Sequence, residues 1–90
     1  MPYTLDMLDE ALSVAKALGY RIRQEWLDGQ GGGLCEFGGQ KWFFLDLSLT
    51  GPEQLAGILE VLRDEPKLPT VPLSDALIRL LLGPVRRMAA

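Results

Sequence analysis

The strongest constraint on the fold is a pair of glycines, Gly38 and Gly39, that separates two short and largely apolar runs. Glycine readily adopts the positive φ angles of type I′ and II′ turns, and these two-residue turns join antiparallel strands. The sequence therefore predicts a β-hairpin whose strands are residues 34–37 and 40–47.

The position of this turn fixes the register of the hairpin. Glu36 then lies opposite Lys41 and Leu34 lies opposite Phe43, and both are favourable cross-strand pairs. Side chains alternate between the two faces of a sheet, so the register also predicts which residues share a face. The first face receives Leu34, Phe43, Leu45 and Leu47, and the second face receives Cys35, Phe37, Trp42 and Phe44.

Residues 20–27 alternate in the same way just before the hairpin. Ile22 and Trp26 have one parity, and the charged residues have the other. If Ile22 and Trp26 point to the first face, Arg21, Arg23 and Glu25 fall on the second. Together with the hairpin, this segment predicts a three-stranded antiparallel meander.

The segment before the strands has the apolar periodicity of a helix. Apolar residues recur at intervals of three and four from Leu5 to Leu18. Thr4 is the predicted N-cap, and Gly19 is the predicted residue at which the helix stops.

Two further helices follow the strands. Thr50 and Glu53 have the spacing of a capping box, which predicts the start of a helix that Pro66 ends. Ser74 is predicted to cap a last helix over residues 74–82, which a Gly-Pro pair terminates. This last helix has almost no polar side.

These elements predict an α+β fold made of a helix, a three-stranded antiparallel meander and two further helices. Residues 1–84 form a single small domain in this interpretation, and residues 85–90 form a short basic tail. The predicted core consists of Leu8, Leu12, Ile22, Phe43, Leu45, Leu55, Ile58 and Leu62.

Composition excludes several classes of function. The chain has no histidine, so it cannot supply a Ser-His or Cys-His dyad or imidazole ligands for zinc. Carboxylate chemistry is not excluded, but no convergent polar group is evident, and we predict no enzyme activity, no cofactor and no metal. A net charge of −3 argues against a nucleic-acid partner.

The expected location is the cytoplasm. The amino terminus lacks the basic and apolar regions of a secretory signal, and no window is long and apolar enough for a membrane helix, so no membrane partner is expected. A single cysteine forms no intrachain disulfide, which agrees with a reducing compartment.

The glycine run at residues 31–33 does not predict a phosphate-binding loop, because it leads into a strand and not into a helix. Cys35 follows it in mid-strand. A lone cysteine is more often a small core residue than a reactive thiol, but a redox or sensing role for Cys35 is kept as an alternative.

Two apolar surfaces are candidates for a protein contact: the last helix, residues 74–82, which is the preferred element, and the second sheet face. The aromatic residues of the second face need cover from the last helix, from a second copy of the chain or from a protein partner. We predict a protein-binding or self-associating module, most simply a homodimer. The candidate interface residues are Trp42, Phe44, Phe37 and Arg23 on the sheet and Leu77 and Leu81 on the last helix.

Residues 31–59 resemble a loose group of small uncharacterised bacterial proteins in which a helix, a Gly-Gly-Leu-Cys hairpin, a hydrophobic strand and a helix follow one another. The shared motif here is residues 32–35, the resemblance extends over residues 5–65, and it implies no known activity. The acidic charge and the helix-then-meander start are also similar to dimeric secretion chaperones, although the later strands of that fold are missing.

A weaker similarity is to the strand and helix of minimal zinc peptidases, whose helix carries an H-E-x-x-H motif. The two histidine positions of that motif fall on Leu59 and Arg63, with Glu60 after the first. Because neither position is a histidine, the similarity implies no zinc binding and no peptidase activity.

Overall fold

A computed structural model of the chain describes residues 2–29 and 32–82. The Gly-Pro pair at 83–84 and the predicted basic tail at residues 85–90 lie outside the described residues. Within the described part, three α-helices and a three-stranded sheet form an α+β structure. The elements are α1 (Pro2–Ala17), β1 (Arg21–Glu25), β2 (Gly33–Phe37), β3 (Gln40–Asp46), α2 (Gly51–Arg63), a 3₁₀ turn (Leu68–Thr70) and α3 (Asp75–Leu82).

Helix α1 begins earlier than predicted. It starts at Pro2, so the prediction that Thr4 is the N-cap is wrong. Proline is well tolerated in a first helical turn, where its missing N–H has no partner to lose. The predicted stop is confirmed, because Gly19 has a φ of +99° and the N–H of Tyr20 reaches back to the carbonyl of Ala15.

The predicted capping residues of the other two helices are confirmed. The Thr50 side chain accepts from the N–H of Glu53, and the Glu53 carboxylate accepts from the N–H of Thr50. The Ser74 hydroxyl accepts from the N–H of Leu77 at 3.1 Å. Two oxygens of Glu10 in turn accept from Ser74, which ties the start of α3 to α1.

The hairpin forms in the predicted register, with Leu34 opposite Phe43 and Glu36 opposite Lys41. Its two turn glycines have φ angles of +56° and +83°, as a type I′ turn requires. The predicted meander is wrong, however. The strand order is β1-β3-β2, and β1 pairs with β3 in parallel, so the sheet is mixed.

Two features of β3 explain why it lies between β1 and β2 in the sheet. It is the longest strand, and it carries the buried Phe43 and Leu45. In the central position its backbone N–H and C=O groups find partners on both edges, which buried backbone groups require. The connection from β1 to β2 therefore crosses the end of β3. It passes so closely that a β-carbon at Gly32 would lie 3.1 Å from the Phe44 carbonyl oxygen.

The core lies between the first sheet face and the helices. Six of the eight predicted core residues are buried, and Leu12 and Ile22 pack against the core while partly exposed. Trp26 lies beyond the end of β1 and is 69% exposed, so its predicted place on the first face is wrong. Its indole N–H donates to Asp28 instead. The buried apolar side chains are Met7, Leu8, Ala11, Val14, Ala15, Tyr20, Phe43, Leu45, Leu55, Ile58, Leu59, Leu62, Leu77 and Leu81.

Candidate functional site

The candidate site is the sheet face that points away from α1 and α2, which we call the open face. The register places Arg21 beside Trp42 and Cys35 in one row, and Arg23 beside Phe44 in the next. The open face consists of Arg21, Arg23, Glu25, Cys35, Phe37, Trp42 and Phe44. Strand parity predicted this grouping correctly, because a parallel neighbour preserves the alternation of faces.

The aromatic residues of the open face form a small cluster. The ring centroids of Trp42 and Phe44 are 6.3 Å apart, and the Arg21 guanidinium lies 5.6 Å from the Trp42 ring centroid. Both separations suit aromatic and cation–π attraction. Neither ring belongs to the buried core, and Phe37 is 60% exposed.

Arg23 and Glu25 form an ion pair on the same face. The Arg23 Nε donates to Glu25 Oε2 at 3.0 Å. Both side chains are substantially exposed, so the pair contributes little to stability. Its consequence is that the open face presents charges of both signs beside its aromatic rings.

Leu77 and Leu81 do not belong to this surface. Helix α3 packs on α1 and α2, where Leu77 has no exposed surface and Leu81 is 8% exposed. An apolar stripe marks the buried side of a helix but does not identify what covers it, and the stripe that suggested an interface on α3 is covered by α1 and α2 of the same chain. The exposed apolar residues of α3 are Ile78 and Leu82.

A second polar arrangement holds the end of β3. The Asp46 carboxylate accepts hydrogen bonds from the N–H groups of Leu27, Gly29 and Ser48 and from the Ser48 hydroxyl. Burial raises the pKa of Asp46, but these hydrogen bonds outweigh burial and lower it to about 2. Asp46 therefore acts as an anchor for the chain that crosses β3.

A third group surrounds Glu65, a charged residue that is buried just after the end of α2. Glu65 accepts from the Tyr20 hydroxyl at 2.7 Å and from the N–H of Lys67 at 3.0 Å, and Lys41 Nζ lies 3.5 Å away. These donors lower the pKa of Glu65. Sequence reasoning missed the group because its members are distant along the chain.

Tyr20 should titrate at unusually high pH. Burial, the hydrogen bond to Glu65 and nearby carboxylates raise the pKa of Tyr20 to about 12. The stabilisation from this raised pKa is complete below pH 10 and is lost as the pH rises through about 12. An ultraviolet titration should therefore show a transition near pH 12 that Tyr20→Phe removes. A Tyr20 transition near pH 10 in the folded protein would contradict the hydrogen bond.

A groove of about 430 Å³ lies between β2 and α2 on the helix-covered side of the sheet. Leu34, Phe43 and Val61 contribute its apolar lining, and Glu53 and Glu60 its acidic lining. A smaller cavity of about 310 Å³ shares Leu34, Glu60 and Val61 with it and continues toward Tyr20, Lys41 and Asp64.

The described part of the chain contains neither a metal-binding cluster nor a membrane-spanning helix. Within residues 2–29 and 32–82, no three side chains of the metal-binding types cluster as a metal site would require. The same residues contain no helix with the length and apolarity needed to cross a membrane.

Cys35 is exposed on the open face, contrary to the expectation of a small core residue.

Comparison of the chain with protein-family models, with curated proteins and with solved structures found no match. The resemblances to small bacterial proteins and to secretion chaperones therefore stay predictions.

Proposed function

We propose that the protein is a non-enzymatic, self-associating binding module that forms a symmetric dimer through its open face. The observation that carries this proposal is the aromatic pair of Trp42 and Phe44, with the exposed Phe37 on the same sheet face, which the described helices do not cover. Aromatic residues and arginine are the types enriched at the energetic centres of protein interfaces.

A second copy of the chain is the partner that the chemistry of this face favours. A twofold contact requires one self-complementary patch. The open face carries arginines along β1 and aromatic rings along β3 and β2, so a face-to-face pair can place Arg21 or Arg23 of one copy over the rings of the other. Glu25 provides an opposite charge on the same patch.

The size of the face predicts a weak dimer. Three strands of about five residues present a footprint of about 14 by 17 Å. Stable complexes bury about 800 Å² of surface on each partner, which is well above this footprint. We therefore expect a dissociation constant in the micromolar range or above, so that monomer and dimer exchange rapidly.

Sedimentation velocity over a range of micromolar concentrations should show a monomer–dimer equilibrium. Phe37→Ser and Arg21→Glu should each weaken the dimer by about tenfold, because both side chains are exposed on the open face. Leu5→Ala removes a similarly exposed apolar side chain from α1 and should leave the dimer unchanged. A monomer at every concentration would contradict the proposal.

Cys35 offers an independent measure of contact at the open face. If this face forms the dimer, the rate of alkylation of the Cys35 thiol should fall as protein concentration rises, and Phe37→Ser should shift that dependence to about tenfold higher concentration. A dimer in which Cys35 reacts at the monomer rate would place the interface elsewhere on the chain.

The exposure of Cys35 also supports a second candidate, a redox or sensing role for its thiol. The dependence of the alkylation rate on pH distinguishes the two functions. A rate that rises only above about pH 8 is the behaviour of an ordinary thiol and argues against this role. A fast reaction well below that pH would favour it.

A further inference from the structure

We propose that the free edge of β2 and the adjoining groove bind an extended basic peptide, which adds to the sheet as a fourth strand. This binding mode is distinct from the proposed dimer, which uses the open face. Peptide binding of this kind requires an unpaired strand edge, an apolar surface beside that edge and a charge that selects the peptide. The described residues provide all three.

The outer edge of β2 has backbone groups available for pairing. The two-residue turn makes Phe37 and Gln40 a hydrogen-bonded pair, and such pairs alternate along an antiparallel ladder. The N–H and C=O groups of Leu34 and Glu36 therefore point away from β3. Among residues 2–29 and 32–82, no strand pairs with this side of β2.

The groove runs along the same edge. Its lining places Glu53 of α2 beside Gly33, and the adjoining cavity places Asp64 beside Lys41, which is paired with the far end of β2. Helix α2 therefore follows β2 in the same direction. The 49% exposed Leu34 leaves apolar surface between the two elements.

The charge around the groove favours a basic occupant. Glu53, Glu60 and Asp64 lie along one exposed side of α2, and Glu36 lies on the groove side of β2. The single lysine of the lining, Lys41, already interacts with Glu65. The groove therefore has an excess of carboxylates, and Lys or Arg side chains complement them.

The spacing of these carboxylates matches a strand. Glu60 and Asp64 are one helical turn apart, about 6 Å along α2. Alternate side chains of an extended peptide are about 6.8 Å apart. Lysines at every second peptide position can thus lay their apolar stems over Leu34 and Val61 while their ammonium groups reach Glu60 and Asp64.

The test uses an end-capped peptide of four lysine–valine repeats, titrated into the protein and followed by amide NMR. We expect saturable binding, with slower hydrogen exchange at the amides of Leu34 and Glu36. Glu60→Gln and Asp64→Asn should each weaken binding by about two- to fivefold. The matched control, Asp6→Asn with Asp9→Asn, removes two exposed carboxylates from α1 and should have no effect.

Two N-methylated peptides test the strand pairing without altering the protein. One is methylated at the lysine amides and the other at the valine amides, and only one set of amides points toward β2 in an added strand. We expect one peptide to lose binding and the other to retain it. Equal binding by both, or equal binding of a glutamate–valine peptide, would overturn the proposal. Phe37→Ser should leave peptide binding intact, so this test is independent of the dimer.

Discussion

Replacing Asp46 with alanine should lower the melting temperature by about 10 °C or more and should loosen the pairing of β1 with β3. The substitution leaves the N–H groups of Leu27, Gly29 and Ser48 without their acceptor. Losing several partly buried hydrogen bonds at once is costly, and the amides of Leu27 and Gly29 hold the chain where it crosses the end of β3. Thermal unfolding and hydrogen exchange of the β1 amides measure both effects.

The same carboxylate predicts a loss of stability in acid. Hydrogen bonds lower the pKa of Asp46 from 3.8 to about 2, so its contribution is complete above about pH 4 and is lost as the pH falls through 2. The lowered pKa of Glu65 acts in the same direction. Asp46→Ala should flatten this acid dependence.

Two other substitutions calibrate the Asp46 result. Asp46→Asn keeps one acceptor oxygen and should have an intermediate melting temperature, whereas Asp9→Ala removes an exposed carboxylate from α1 and should have almost none of the effect. An Asp46→Ala protein that melts like the wild type, with unchanged exchange at β1, would mean that the crossing does not depend on this carboxylate.

Local signals in the sequence predicted the parts of the fold that local chemistry controls. The Gly38-Gly39 turn fixed the hairpin register, and the capping residues Thr50 and Ser74 located two helix starts. The grouping of Trp42 and Phe44 on one face followed from strand parity alone. Each of these features depends on residues within a few positions of one another.

Features that depend on distant residues could not be predicted in the same way. The order of the strands depends on which edge of β3 accepts β1, and strand periodicity is the same for either edge. The burial of Glu65 depends on Tyr20, which is 45 positions earlier in the chain. The packing of α3 on α1 and α2 likewise has no local signal.

Leu77→Ala should lower the free energy of unfolding by about 2–5 kcal/mol, because it removes a fully buried side chain and leaves a cavity between α3 and its neighbours. Denaturant unfolding measures the loss. Leu82→Ala is the matched control on the same helix, since Leu82 is 74% exposed, and its effect should be within about 0.5 kcal/mol.

This pair of variants also separates a core role for α3 from the interface role that its sequence suggested. At a concentration where the wild-type protein is partly dimeric, Leu77→Ala should remain competent to dimerise under conditions in which it is folded, because the proposed contact lies on the open face. An interface role predicts the reverse, a stable monomeric Leu77→Ala protein that no longer associates. That result would move the dimer contact to α3 and would require Leu77 to be accessible in the free chain, contrary to its complete burial.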